Sequence, residues 1–302
     1  MERILVLLAA LAVLGVAFGV LERLWPSVRG QRFLLRRKGF FTDAAWWMFT
    51  PTVGKLFSGV VVAVSILALA GILGIGITVE HLRGLSERDT TIGRWPLGVQ
   101  LLAFLLLADL LAYAQHRAFH TFGRLWPIHA VHHSSTVVDW LSSVRVHPVN
   151  DALGSVVVAA PLLLLGFSPA TLGAYLPFLT LYAIMLHANV GWDFGPLRYV
   201  VASPAYHRWH HSAEPEAINK NFSGLFPFVD MIFCTMYFPR DRQAQNFGVV
   251  GETVPEGFIG QMMYPFRPKK QPAPSTTPMA IETGVARIRP ARAPTALKGP
   301  VP

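Results

Sequence analysis

The chain alternates between long apolar runs and short, strongly basic or polar stretches. A helix needs about 20 mostly apolar residues to cross a bilayer core. Five stretches approach that length: Ile4 to Leu21, Leu56 to Thr78, Pro96 to Gln115, Ala152 to Gly166 and Pro169 to Leu186. The third is interrupted only by Asp109. The last two are separated by Phe167-Ser168, which predicts a helical hairpin with a short fourth span. The pattern predicts an all-α integral membrane protein of about five transmembrane helices, with a cytoplasmic helical cap between and after them.

Charge sets the expected orientation. The first stretch has the length of a signal peptide, but basic residues follow it: Arg23, Arg29, Arg32, Arg36, Arg37, Lys38 and Lys55. The loop after the second stretch holds only Arg83, Arg88 and Arg94. The positive-inside rule then makes the first stretch an uncleaved anchor, with the N-terminus outside and the first loop in the cytoplasm. Segments 116–151 and 187–267 fall on that same cytoplasmic side. Residues 268–302 hold eight prolines, no aromatic residue and several basic residues, the composition of a disordered tail. The expected organisation is an N-terminal part at 1–95 with the anchor spans and basic loop, a main domain at 96–267 and the tail at 268–302.

Composition narrows the class. The 302 residues are 52% hydrophobic and only 14% charged, against about 25% charged in soluble chains. A single cysteine, Cys234, excludes an intrachain disulfide and any CxxC motif. The net charge of +9 raises the question of nucleic acid. The basic residues flank apolar segments, as membrane topology requires, so no nucleic-acid partner is expected.

The chemistry lies in the histidines. Of eleven, ten fall between residues 116 and 211. They form His116-x-x-x-His120, His129-x-x-His132-His133 and His207-x-x-His210-His211, with His147 and His187 isolated between them. Residues three and four apart share a helix face, so each box presents two or three imidazoles together. The boxes supply eight nitrogen ligands, and His187, at the cytoplasmic end of the fifth stretch, makes nine. That is too many for one ion and reads as a two-metal cluster. His147, before Pro148, is a ligand, a neighbour of one or a helix cap; His81 reads as a surface residue. The boxes lack carboxylates and cysteines, and imidazole suits zinc, copper, iron and nickel alike, so spacing leaves the metal open.

The order of these boxes, with a hydrophobic hairpin before the third, resembles the membrane fatty acid hydroxylase and sterol desaturase superfamily. The similarity extends to Asp109-Leu-Leu-Ala-Tyr113, Arg145-Val-His-Pro148, His187-Ala-Asn189, Ser203-Pro-Ala-Tyr-His-Arg-Trp-His-His-Ser212 and Asn219-Lys-Asn-Phe-Ser-Gly224, and covers about residues 96–240. The resemblance implies two iron ions held by His116, His120, His129, His132, His133, His187, His207, His210 and His211. It also implies dioxygen as co-substrate, a lipid substrate and an external electron donor such as a ferredoxin or a cytochrome b5-like protein. Zinc is compatible with the same ligands in purified protein. The implied reaction is hydroxylation or desaturation of a lipid C–H bond.

Around the ligands, Asp109 lies seven residues before His116 on the same helix face and is expected to orient a ligand histidine, as are Asn189 and Asp193. Trp126, Trp140, Trp192 and Trp209 read as an interfacial aromatic belt, and Arg117 and Arg208 as snorkelling side chains. The expected location is a bacterial inner membrane, multi-pass, with the site on the cytoplasmic face. The alternative is a transition-metal transporter or a non-catalytic metal-binding membrane protein; a b-type cytochrome would need histidines paired on facing spans. The substrate, its reacting carbon, the donor and the oligomeric state stay open.

Overall fold

The computed structural model describes residues 2–32, 34–72, 74 and 90–267. The expected outer loop with His81 and the expected tail lie outside the described residues. The described part is helical, with two isolated β-bridges, Pro26 with Val190 and Ser212 with Phe247. Its α-helices are α1 (Glu2–Leu24), α2 (Phe40–Phe49), α3 (Lys55–Ile72), α4 (Leu97–Thr121), α5 (Trp126–His133), α6 (Pro148–Leu164), α7 (Pro169–His187), α8 (Pro204–His210), α9 (Pro227–Ile232) and α10 (Phe258–Met263).

Three helical runs are long and apolar enough to cross a membrane: Leu5–Leu24, Phe40–Ile72 and Leu97–Thr121. The second differs from the sequence expectation. Helix starts at Phe40 rather than near Leu56, because α2 and α3 join through a π-helical turn, Thr50–Gly54, that takes Pro51 without a break. The first loop is therefore shorter than expected, and Trp46 and Trp47 are buried helical residues. The two remaining apolar helices, Pro148–Leu163 and Pro177–His187, are shorter. The hairpin joining α6 to α7 is present, with Ser168 capping α7 by accepting from Thr171 N at 3.1 Å.

The long runs keep much of their apolar surface outward. Val13, Val16, Leu56, Val60, Val64 and Leu102 are all exposed, as expected of helices solvated by lipid rather than by one another. Inward faces pack in small clusters. Phe104, Ala108, Leu162 and Phe167 lock α4 to the α6–α7 hairpin. Phe18, Trp47, Trp140, Leu141 and Ile184 join α1, α2 and α7 around the turn Trp140–Val144. Trp140 and Trp209 are 3% and 1% exposed, so these two are core residues and not part of an interfacial belt.

A charged core underlies the helix ends. Asp43, fully buried, accepts from Arg37 Nη1 at 2.6 Å and from Arg145 Nε at 2.7 Å. Arg37 also donates to Asp139 Oδ1 at 3.0 Å, and Arg145 to Ser134 Oγ at 3.0 Å. Asp139 closes a capping box on Trp140–Val144. Glu22 on α1 accepts from the backbone N–H groups of Trp140 and Asn189 at 3.1 and 2.9 Å. These bonds gather the C-terminal end of α1, the start of α2 and the segment after α5 at one end of the molecule. At the other end, Thr90 donates to the carbonyl of Gly166 in the hairpin turn at 3.0 Å.

Truncating Asp43 would leave two buried guanidinium groups without their shared counter-charge. Asp43→Ala is expected to destabilise the folded protein by about 3–5 kcal/mol, the range for breaking a buried ion pair. Thermal unfolding in detergent checks this; an unchanged melting temperature would contradict it.

Candidate metal centre

Helix period decides how the histidines meet. His116 and His120 occupy the last turns of α4, His187 ends α7, and the two HxxHH boxes lie on α5 and on α8 with its C-cap. They form two groups. One is His116, His120, His129, His133 and His210; the other is His132, His187, His207 and His211. Within each group the ligand atoms lie within 4.8 Å of one another. Each HxxHH box divides between the two. At about 100° per residue, first and last histidines share a direction and the third points about 60° aside. So His129 and His133 serve one group and His132 the other, while His207 and His211 serve the second and His210 the first.

The donor geometry fits metal ions. Nε2 of His116 stands 3.0 Å from Nε2 of His129, which stands 3.1 Å from that of His133. In the second group His187 is 3.3 Å from both His132 and His207, and His207 is 3.1 Å from His211. Two nitrogens each about 2.0–2.1 Å from one ion stand roughly 2.9–3.4 Å apart at angles between 90° and tetrahedral. The observed separations match that edge length.

Protonation points the same way. Nδ1–H of His116 donates to the Phe222 carbonyl at 2.7 Å, that of His129 to Asn150 Oδ1 at 2.8 Å and that of His132 to the Arg145 carbonyl at 3.2 Å. His187 donates to Ala183 O at 2.7 Å, His210 to Lys220 O at 2.9 Å and His120 to Asn219 Oδ1 at 3.3 Å. A ring that donates through Nδ1 presents a bare lone pair at Nε2. His116 and His129 then face lone pair to lone pair, as do His132 and His187; each pairing repels until a cation lies between. Nε2 of His120 and of His210 is buried without a hydrogen-bond partner. Burial pushes the pKa of His129, His132, His133, His207, His210 and His211 well down, and mutual repulsion adds to it, which keeps them as neutral ligands.

His147 belongs to neither group. It caps α6, accepting from Val149 N at 3.2 Å and donating to the Met262 carbonyl at 3.1 Å. The three acidic or amide candidates meet other partners than the ligand rings. Asp109 accepts from Ser223 Oγ at 2.6 Å and from the N–H groups of Gly224, Leu225 and Phe226 at 2.9–3.0 Å. It clamps the loop whose Phe222 carbonyl receives His116, so it acts on a ligand at one remove. Asn189 pairs with the backbone of Val28 through both ends of its amide, and Asp193 holds Gly195 N and Arg198. Arg208 does not snorkel: it is 1% exposed, donates to Val138 O at 2.5 Å and lies over the Phe247 ring. The spacing of the boxes carried no signal for Asn150, Asn219 and Asp230. Asp230 is fully buried and accepts from the N–H groups of Phe222 and Ser223, both at 2.8 Å, and from Tyr206 OH at 2.5 Å.

Residues 101–235 match the fatty acid hydroxylase family. Over 177 residues it is 29% identical to an ornithine lipid hydroxylase of Rhizobium tropici, covering 58% of this chain and 53% of that protein. It is 34% identical over 141 residues to an alkylglycerol monooxygenase of Danio rerio, with 47% of this chain and 31% of the relative covered. A very-long-chain aldehyde decarbonylase of Oryza sativa subsp. japonica is 29% identical over 140 residues, covering 42% of this chain and 21% of the relative. The chain thus spans about half of the first relative's length and less of the others. No solved structure matches it significantly. The matched stretch contains all nine clustered histidines.

Metal analysis of protein purified without chelator is expected to give about two ions per chain, since nine ligands exceed what one ion takes. Losing one donor from a group should empty that group first. His210→Ala and His207→Ala should each leave about one ion, from opposite groups, and the double variant should lose both. A wild-type stoichiometry near one would contradict the arrangement.

Proposed function

We propose that this protein is an iron- and dioxygen-dependent membrane oxidoreductase that hydroxylates or desaturates a C–H bond of a lipid. The observation that carries the reading is the pairing of five and four imidazoles within a fatty acid hydroxylase domain at the ends of apolar helices. The relatives' names supply the substrate class: an ornithine lipid, an alkylglycerol and a very-long-chain aldehyde are all lipids. Two iron ions held by the nine histidines would supply dioxygen activation, with two electrons from a ferredoxin or a cytochrome b5-like donor. The protein's part is positional. Phe222, Lys220, Arg145 and Ala183 carbonyls and the Asn150 and Asn219 amides fix the rings. Asp109 and Asp230 hold the loop that carries two of those carbonyls.

The transporter alternative is weaker on this geometry. A transporter places its site near mid-bilayer, often on broken helices. Here the ligands occupy the C-terminal turns of α4 and α7 and the short helices α5 and α8.

The proposed membrane arrangement keeps α6 and α7 as a fourth and fifth span, short ones, in a bacterial inner membrane, with residues 1–95 as anchor and 96–267 as catalytic domain. In support, the Gly166 turn and Thr90 sit together, away from the end where Glu22, Arg37 and the histidines gather. The basic residues between α1 and α2 support a cytoplasmic histidine end. Reporters fused after Lys38 and after Arg267 should both report the inside; opposite answers would break the arrangement.

The direct test is mass spectrometry of lipids from a deletion strain and its complement. A species lost on deletion, differing by one oxygen or by two hydrogens from one that accumulates, names the substrate. His211→Ala should abolish that conversion. Asp109→Asn, which keeps shape but turns an acceptor into a donor, should lower it about 10–100-fold, as for groups that support a ligand. Full conversion by a folded His211→Ala protein would leave a metal-binding role without catalysis.

A further inference from the structure

The two imidazole groups are not equally reachable. A cleft of about 300 Å3 opens onto His120, His133 and His210, all from the five-imidazole group. None of His132, His187, His207 and His211 lines it. Its other walls include Trp126, Ile218, Val249 and Val250. Ile218 is 42% and Val250 60% exposed, so the rim is apolar at the surface. The histidine end of the cleft holds the unpartnered Nε2 atoms of His120 and His210.

Gly248, Val249 and Val250 of its lining belong to a strap, residues 246–252, beyond the stretch that matches the family. Two contacts pin this strap. Ala213 N donates to Asn246 O at 2.8 Å within the antiparallel Ser212–Phe247 bridge, and Trp126 Nε1 donates to Glu252. Gly248 has φ +119°, and a Cβ there would come within 3.3 Å of Thr136 Cγ2. The chain therefore turns tightly at that point, before Val249 and Val250. The volume lies at the lower end of ligand clefts, about 300–1,000 Å3, enough for a stretch of chain rather than a whole lipid.

Resting on the lipid-oxygenase reading, we propose that this cleft admits the substrate's hydrocarbon chain to the five-imidazole group alone, and that Ile218, Val249 and Val250 set the bulk accepted there. The four-imidazole group, in which only His132 is half-exposed, contributes no wall to this cleft. This assigns selectivity to a strap outside the family's matched region.

Metal exchange tests this independently of turnover. Zinc-loaded protein is exposed to a small chelator and the zinc remaining is measured over time. Wild type is expected to lose one ion quickly and the second slowly. Val249→Trp should start with the same zinc content and lose its first ion more slowly. Ile218→Trp, on the opposite wall and already half exposed, should do the same and serves if the first variant misfolds. In membranes supplied with host lipid extract, Val249→Ala should widen acceptance toward bulkier chains, a change of about 10–200-fold in relative turnover for pocket methyl groups. Release of both ions at one rate, or wild-type exchange in both tryptophan variants, overturns the proposal. Slowed exchange alongside a wild type that oxidises no lipid would uphold the cleft's access to the metal and overturn the lipid-oxygenase reading instead.

Discussion

Lone pairs of neutral imidazoles, brought to 3.0–3.3 Å of one another, set the conditions the rest of the structure must meet. Such contacts repel in the absence of a cation, and burial works against relief by protonation. The fold holds six of the nine rings by their other nitrogen, with carbonyl oxygens that accept Nδ1–H and leave Nε2 free. Four of those carbonyls are backbone groups, of Phe222, Lys220, Arg145 and Ala183, so the metal geometry is written into the path of the main chain.

That path is itself held by buried acids. Asp109 and Asp230 together take eight donors, from the backbone and side chains of residues 206–235, and so fix the loop behind His116 and His210. Asp43 does the same for Arg145, whose carbonyl faces His132. The charges on Arg37, Arg145, Asp43 and Asp139 lie at the junction of α1, α2 and the segment after α5, where the apolar spans meet the histidine helices. The N-terminal part is thus more than an anchor, because its residues complete the frame around the second imidazole group.

Much of this was legible in the sequence. The clustering of the nine histidines follows from spacing at 116–133 and 207–211 and from His187 at a helix end, because helix period is rigid. Asp109 stood out as an acid in an apolar run, yet its partners did not. A carboxylate seven residues before a histidine shares its face, but four donors on a loop more than 110 residues away take it instead. Trp140, Trp209 and Arg208 misled for the same reason. Amphipathic side chains beside apolar segments suit an interface, and only the packing of distant segments, such as Glu22 against Trp140 N–H, reveals a polar core there. The early start of α2 was hidden by Pro51, which usually ends a helix and here sits in a π turn.

The inequality of the two groups also has its origin in spacing. A box of three with first and last on one face must give two ligands to one ion and one to the other. Boxes on α5 and α8 that lean oppositely would share six ligands equally, three and three. The remaining histidines break the balance. His116 and His120, four apart, cannot be divided and both join the first group, while His187 stands alone and joins the second. Five against four therefore follows from the intervals along the chain together with the opposite lean of the boxes and the placing of His187. The larger group lies at the end of α4, where the chain leaves the apolar span at Phe122, and there the cleft opens. The smaller one gathers rings from α5, α7 and α8 and lies off that cleft. Two groups built from the same kind of donor then differ in what can reach them, and that difference needs no difference in donor chemistry.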